Sequence, residues 1–138
     1  MAAPANTSKM PRVMFKEMIE KVLKQSGVRV VEDGFKTGVQ KQVQAMVTQT
    51  EETYERPQLN SSALIATLNI TTNIFSEINE TGVHEAILKL MELNASSPNL
   101  PTYRIKSFKP TSSGTQYVSE SSQGHVDAYI TLEIIYFM

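Results

Sequence analysis

One of the two histidines of this chain lies in the first half of a metal-binding motif. His84 and Glu85 match the start of the HExxH pattern, in which two histidines one helical turn apart bind a catalytic zinc ion. The second histidine would occupy position 88, where the chain has Leu88, so the motif is incomplete. The chain also has no cysteine, and its six glycines form neither the dinucleotide-binding nor the triphosphate-binding pattern. We therefore expect neither a metal ion nor another cofactor.

The other histidine, His125, could take part in hydrolysis. It stands two residues before Asp127, so the two side chains would face the same side of an extended strand. Ser119 or Ser122 could then supply a hydroxyl nucleophile, which makes a hydrolase or a small-ligand module one hypothesis. The sequence has no sharp glycine turn of the kind that exposes a catalytic serine, so the pattern is more typical of a solvated strand end. We expect a protein that is not an enzyme.

Two segments have apolar residues at the spacing of an amphipathic helix. The first spans 12–26, after Pro11 and before Gly27, which suit the start and the end of a helix. Its apolar positions are Phe15, Met18, Ile19, Val22 and Leu23. The second helix is predicted to begin with Thr81 as its N-cap and to end near Asn94. Each helix should bury one face against the rest of the fold.

The residues between the two helices alternate between polar and apolar types, as strands do. A short strand is predicted over 28–31 and a second one from Val39 to about Thr50, followed by a polar loop over 48–62. A third strand is predicted over 63–76. Its core-facing side chains would be Leu64, Ala66, Leu68, Ile70, Thr72 and Ile74.

The residues after the second helix also predict β structure. Strands are expected over 102–109 and 115–120, separated by a turn over 110–114, and a final strand over 125–137. One face of the final strand carries Val126, Ala128, Ile130, Leu132, Ile134 and Tyr136. Its other face becomes apolar at the last residues, which predicts a central strand that is covered on both sides.

The order of these elements predicts an α+β fold, a mainly antiparallel sheet flanked by two helices. A chain of 138 residues with 41% hydrophobic residues suits one domain of ordinary size. We place that single domain at 12–138. Residues 1–11 carry two prolines and small or polar side chains, so they are predicted to form a flexible N-terminal arm.

Composition argues against two classes of partner. The longest apolar run, 134–138, has five residues, whereas a bilayer-spanning helix needs about 20. The first residues also lack the apolar core of a secretory signal. A formal net charge of −1 is not typical of a dedicated nucleic-acid binder, which usually has a strongly basic face. We expect no membrane partner and no specific nucleic-acid binding.

The charges are nevertheless distributed unevenly along the chain. Residues 1–41 contain eight lysines and arginines against four acids, and the remaining residues contain five against ten. A basic start and an acidic remainder could form oppositely charged surfaces that meet between subunits. A solvated, lysine-rich helix is the alternative interpretation.

Polar but uncharged side chains occupy one face of two predicted strands. Such residues can hydrogen-bond a partner without the desolvation cost of charges, although a solvated sheet face remains the alternative. The glutamates of the predicted 48–62 loop could form a separate, acidic surface that binds a second partner. The candidate partner-binding residues are Gln40, Gln42, Gln44, Asn69, Thr71 and Asn73 on the strands, and Glu51, Glu52, Glu55 and Arg56 in the loop.

The layout of the chain resembles the tail terminator proteins of long-tailed bacteriophages, the family of the lambda minor tail protein U. The final segment from Ala128 to Met138 is similar to the family's closing pattern, in which Thr, Val or Ile and Tyr alternate before a C-terminal Met. The predicted strand at 63–76 and the helix at 83–94 resemble the family's central strand and helix in order and spacing. The resemblance covers the layout from Arg12 onward, and its motif covers only the last dozen residues.

The resemblance implies a structural virion protein, assembled in the host cytoplasm and located in the tail or neck. It implies a homohexameric ring that caps the completed tail tube. The partners would be other copies of the chain, the tail tube protein and a neck or head-completion protein, with the tail sheath as a further candidate. A neck or head-tail connector subunit is the alternative within the same class.

Overall fold

The computed structural model describes residues 10–32, 34–35, 42–60, 62–118 and 125–138. Residues 1–9 of the predicted arm, the start of the predicted second strand and the end of the strand predicted over 115–120 therefore lie outside the described part. In the described part, no helix is both long and apolar enough to cross a bilayer.

Two helices form where amphipathic spacing predicts them. The first, α1, is Pro11–Gln25, and Gly27 after it has a φ of 84°, a conformation that glycine adopts without a steric penalty. The second, α2, is Glu80–Met91. Its N-cap is Asn79, whose Oδ1 accepts a hydrogen bond from the Gly82 amide at 2.9 Å. The prediction of Thr81 as the cap was therefore wrong by two positions.

Five strands form a single sheet in the order β1-β2-β3-β5-β4. They are β1 at Arg29–Val30, β2 at Gln44–Glu55, β3 at Ile65–Ser76, β4 at Arg104–Val118 and β5 at His125–Phe137. The short β1 runs parallel to β2, and every other neighbouring pair is antiparallel. The two helices and this sheet confirm the predicted α+β class.

Both helices pack on one face of the sheet, which we call the inner face. Every second residue of β3 and β5 points into this core, since side chains alternate along a strand. The fully buried side chains from these strands are Ala66, Leu68, Ile70, Ile74, Ile130, Leu132, Ile134 and Tyr136. From the helices they are Phe15, Ile19, Leu23, Val83 and Leu90.

The final strand is central, as predicted, because β5 pairs with β3 on one side and with β4 on the other. Its predicted cover on both faces was wrong. Ile135 and Phe137 point away from the helices and stay partly exposed among the described residues. Their apolar character reflects their place in the middle of a sheet rather than a second layer above it.

Two predicted boundaries were wrong because polar residues occur within strands. The expected 48–62 loop is strand as far as Glu55, since β2 pairs with β3 along its whole length. The expected 110–114 turn is also strand, because β4 pairs with β5 on both sides of it. Pro110 and Gly114 are tolerated there because β4 is an edge strand with register shifts next to Ser107 and Ser112.

Candidate interaction surface

The sheet face opposite the helices, which we call the outer face, carries the predicted polar side chains of β3. Asn69, Thr71 and Asn73 lie there, partly exposed. Each has a direct cross-strand partner on β5, and these partners are Glu133, Thr131 and Tyr129. Within the described residues these three β3 side chains stay partly exposed, so a partner could reach this part of the outer face.

Hydrogen bonds link several of these side chains to one another. The hydroxyls of Thr71 and Thr131 lie 2.9 Å apart, and Thr48 donates to the Asn73 amide oxygen at 2.9 Å. The Tyr129 hydroxyl lies 3.1 Å from that of Ser112 on β4. Neutral groups that are already hydrogen-bonded lose less on leaving water than free charges do. The part of the outer face formed by Thr71, Asn73 and Tyr129 can therefore be covered by a partner at a modest desolvation cost.

The glutamines predicted to extend this face do not all do so. Gln44 is fully buried opposite Phe75, and Gln42 precedes β2. Gln40 lies outside the described residues, and Arg56 follows the end of β2. The structure therefore brings together Asn69, Thr71 and Asn73 as partly exposed side chains, and Gln44 is not exposed with them.

A β-bulge at Thr48 determines which glutamates of β2 reach the outer face. Val47 pairs with Thr72 and Gln49 pairs with Thr71, so Thr48 is an extra residue on its strand. Beyond the bulge, Glu51 lies opposite Asn69, on the outer face. Glu55 also lies on the outer face, at the end of the strand. Regular alternation from Val47 would have placed these two glutamates on the inner face.

Glu52 points the other way, and its side chain has 0% exposure. Its carboxylate accepts hydrogen bonds from the Tyr136 hydroxyl, from the Tyr54 hydroxyl at 2.8 Å and from Arg12 Nη1 at 3.1 Å. Arg12 comes from α1 and is 37% exposed. Glu52 thus connects the first helix to two strands of the sheet. The predicted basic start and acidic remainder meet here within one chain.

Tyr136 occupies the centre of this inner-face cluster. Its ring is fully buried, with the Phe15 ring centroid at 5.1 Å and the Tyr103 centroid at 5.5 Å. Burial, and then the hydrogen bond to Glu52, raise the pKa of Tyr136 above its ordinary value of 10.0. The hydroxyl therefore stays protonated in the folded chain where an unfolded chain would ionise it.

The raised pKa of Tyr136 predicts a loss of stability at alkaline pH. Below pH 10 the tyrosine is protonated in both states, whereas above it only the unfolded state releases the proton. The free energy of unfolding should then fall by up to about 1.4 kcal/mol per pH unit from this group. Urea denaturation between pH 8 and 11 should show a shallower decline for Tyr136→Phe than for wild type. Equal slopes for wild type and Tyr136→Phe would contradict the prediction.

Most of the residues considered for hydrolysis lie outside the described part of the chain. Ser119, Ser122 and the His125 side chain lie outside the described part, and Asp127 lies on the outer face opposite Gln116. Elsewhere, His84 Nε2 lies 3.0 Å from the Thr115 hydroxyl. Within the described ranges, no three His, Asp or Glu residues form a group that could hold a metal ion.

No family model and no curated protein matches this chain. Among solved structures, it is similar to a chain from the virion of a native gene transfer agent particle, with a TM-score of 0.54 and 7% identity over 97% of this chain and 99% of that one. Two structures from Akkermansia muciniphila, one described as lacking its transmembrane region, are 10% identical with TM-scores of 0.36 and 0.37. They cover 92% of this chain and 82% and 75% of their own. At 7% identity, the first match shows a shared fold.

Proposed function

We propose that this chain is a structural protein of a phage-like virion and that it acts there as a tail terminator. The observation that carries the proposal is the fold shared with a chain of the gene transfer agent virion. That match extends over 97% of this chain and 99% of the other, so whole subunits correspond rather than one common motif. In this role the chain forms a ring that closes the finished tail tube and joins it to the neck.

The surface of the subunit supports an assembly role rather than a catalytic one. The outer face presents neutral, hydrogen-bonding side chains at Asn69, Thr71 and Asn73, and charged side chains lie beside them on the neighbouring strands. Such a face can be buried against protein neighbours, because interfaces of this kind combine polar contacts with partly apolar area. The partners in this proposal are other copies of the chain, the tail tube protein and a neck protein. Function then follows from complementary surfaces, without a chemical step.

Deletion of the gene in the parent phage or phage-like element tests the proposal. Without a terminator, tube growth has no stop, so electron microscopy should show tails of irregular or excessive length. A plasmid that supplies the wild-type chain should restore uniform tails. Tails of normal length joined to heads would overturn the proposal. Uniform tails that remain detached from heads would also overturn the terminator role and favour the neck-connector alternative.

A further inference from the structure

Among the described residues, the two long edges of the sheet have no strand partner along most of their length. The strand β2 has β3 on one side, and on the other side β1 pairs only with Gln44 and Ala45. No described strand covers the rest of that edge, from Met46 to Glu55. At the opposite side of the sheet, β5 is the one described strand that pairs with β4, which leaves an edge of 15 residues. Unpaired amide and carbonyl groups on such edges can pair with another strand.

The two edges carry opposite charges. The segment β2 contains three glutamates and no basic residue, whereas β4 contains one arginine, two lysines and no acid. Glu51 and Glu55 are exposed, and within the described part of the chain no ion pair involves either of them. Arg104 and Lys109 are exposed on the other edge. Two edges of the same charge repel each other, and edges of opposite charge attract. The charges therefore favour the pairing of β2 with β4.

The register of the sheet places these opposite charges at the same levels. One row of cross-strand partners consists of Glu51, Asn69, Glu133 and Lys109. A second row consists of Glu55, Ile65, Phe137 and Arg104. The bulge between Ile105 and Ser107 gives β4 one extra residue, so Arg104 and Lys109 lie four rows apart, as Glu51 and Glu55 do. All four of these charged side chains lie on the outer face.

The directions of the strands also match. Three antiparallel pairings separate β2 from β4, so the two edges run antiparallel to each other. If a second copy is moved across the sheet, perpendicular to the strands, its β2 comes to lie next to β4 of the first copy and antiparallel to it. Its Glu51 would lie opposite Lys109 and its Glu55 opposite Arg104, without any change of register.

We propose that copies of this chain associate head to tail by pairing the acidic edge β2 of one copy with the basic edge β4 of the next. The inference deepens the ring assembly of the proposed function and rests on it. Such a contact uses two different surfaces. An open row of copies therefore has one free β2 edge at one end and one free β4 edge at the other until the ring closes. The right-handed twist between strands supplies the rotation from one copy to the next. Lys109, whose nitrogen lies 4.0 Å from the Glu133 carboxylate, is 62% exposed and can reach the neighbour's Glu51.

Disulfide trapping tests the pairing, because the chain has no cysteine of its own. Thr53 and Ser107 share an outer-face row that lies between the two charged rows, and neither is charged. Within one copy their strands are separated by three strand spacings, about 14 Å, which exceeds the reach of a disulfide. Thr53→Cys mixed with Ser107→Cys should therefore give a cross-linked dimer under mild oxidation. The double variant should give a ladder that stops at the size of the ring.

Two controls make the result specific. Gln116→Cys lies on the outer face of the same strand, several rows away, and should not link to Thr53→Cys. Reversal of the basic edge with Arg104→Glu and Lys109→Glu should lower the mixed-dimer yield about tenfold, because two attractive pairs become repulsive. Adding Glu51→Lys and Glu55→Lys to the Thr53→Cys chain, which presents the β2 edge in this mixture, should restore it.

The outcomes separate this inference from the function on which it rests. A ring seen by native mass spectrometry without the mixed disulfide would overturn the edge pairing and leave the terminator role intact. A disulfide formed by Thr53→Cys alone would also overturn it, because it would mean that two acidic edges pair. The expected ladder, combined with normal tails in the deletion strain, would support the edge pairing and contradict the terminator role.

Discussion

A Glu52→Ala variant is expected to lose about 1 to 3 kcal/mol of unfolding free energy, the cost of leaving a buried hydrogen-bonding group without its partner. The substitution removes a carboxylate that is fully buried and accepts hydrogen bonds from three side chains. The buried Tyr136 hydroxyl would lose its acceptor, and Arg12 would lose the contact that holds the start of α1 on the sheet. Leaving a buried polar group without a partner costs more than the hydrogen bond itself contributes. Urea denaturation at neutral pH, followed by circular dichroism, measures the change.

Matched variants show whether the position or the charge matters. Glu51→Ala removes the neighbouring glutamate, which is exposed, and should change stability by no more than about 0.5 kcal/mol. Glu52→Gln keeps the shape and an acceptor oxygen, so its loss should be smaller than that of alanine. In a double-mutant cycle, Glu52→Ala and Tyr136→Phe should show a coupling free energy, because their side chains share a hydrogen bond. A loss below about 1 kcal/mol for Glu52→Ala would contradict the structural role.

A Phe15→Ala variant is expected to lose about 3 to 5 kcal/mol, because it leaves a cavity between α1 and the sheet. The Phe15 ring is fully buried and contacts the ring of Tyr136. Val13→Ala on the exposed side of the same helix is the control, and it should have little effect on stability. Thermal unfolding of both variants measures the difference. Equal melting temperatures would mean that α1 does not pack on the sheet as described.

The sequence predicts the elements whose burial alternates regularly. The final strand has the predicted bounds, 125–137, and α1 agrees to within one residue at each end. Each has an uninterrupted apolar face, so local pattern and tertiary packing favour the same structure. The polar positions Asn69, Thr71 and Asn73 also follow from this alternation, since β3 is regular from end to end. This part of the candidate surface is visible in the sequence alone.

The remaining features depend on strand partners, which the local pattern does not contain. The segment after Thr50 consists of Thr, Glu and Tyr, without the alternating apolar residues of a half-buried strand. Its sequence is therefore typical of a loop, and only its pairing with β3 identifies it as a strand. The inward direction of Glu52 depends on the bulge at Thr48. The charge match between the two edges requires the register of four strands at once. Along the sequence, basic residues are concentrated near the start and acidic residues in the remainder. In the sheet, by contrast, the acidic residues lie on one edge, β2, and the basic residues on the other, β4.

The bulge at Thr48 makes β2 more sensitive to changes in length than to changes in residue type. A side chain points to the inner or the outer face according to whether its residue lies an odd or an even number of positions after the bulge. This number determines which glutamate is buried on the inner face. Removing Thr48 itself would straighten the strand and keep Glu52 under the helix, because the extra residue is the one that is lost. If one residue from 49–51 is removed instead and the bulge is retained, the side chains on one side of the deletion would exchange the inner and outer faces of the sheet. A one-residue deletion at that point would therefore disturb both the core and the acidic edge, although every residue involved is polar.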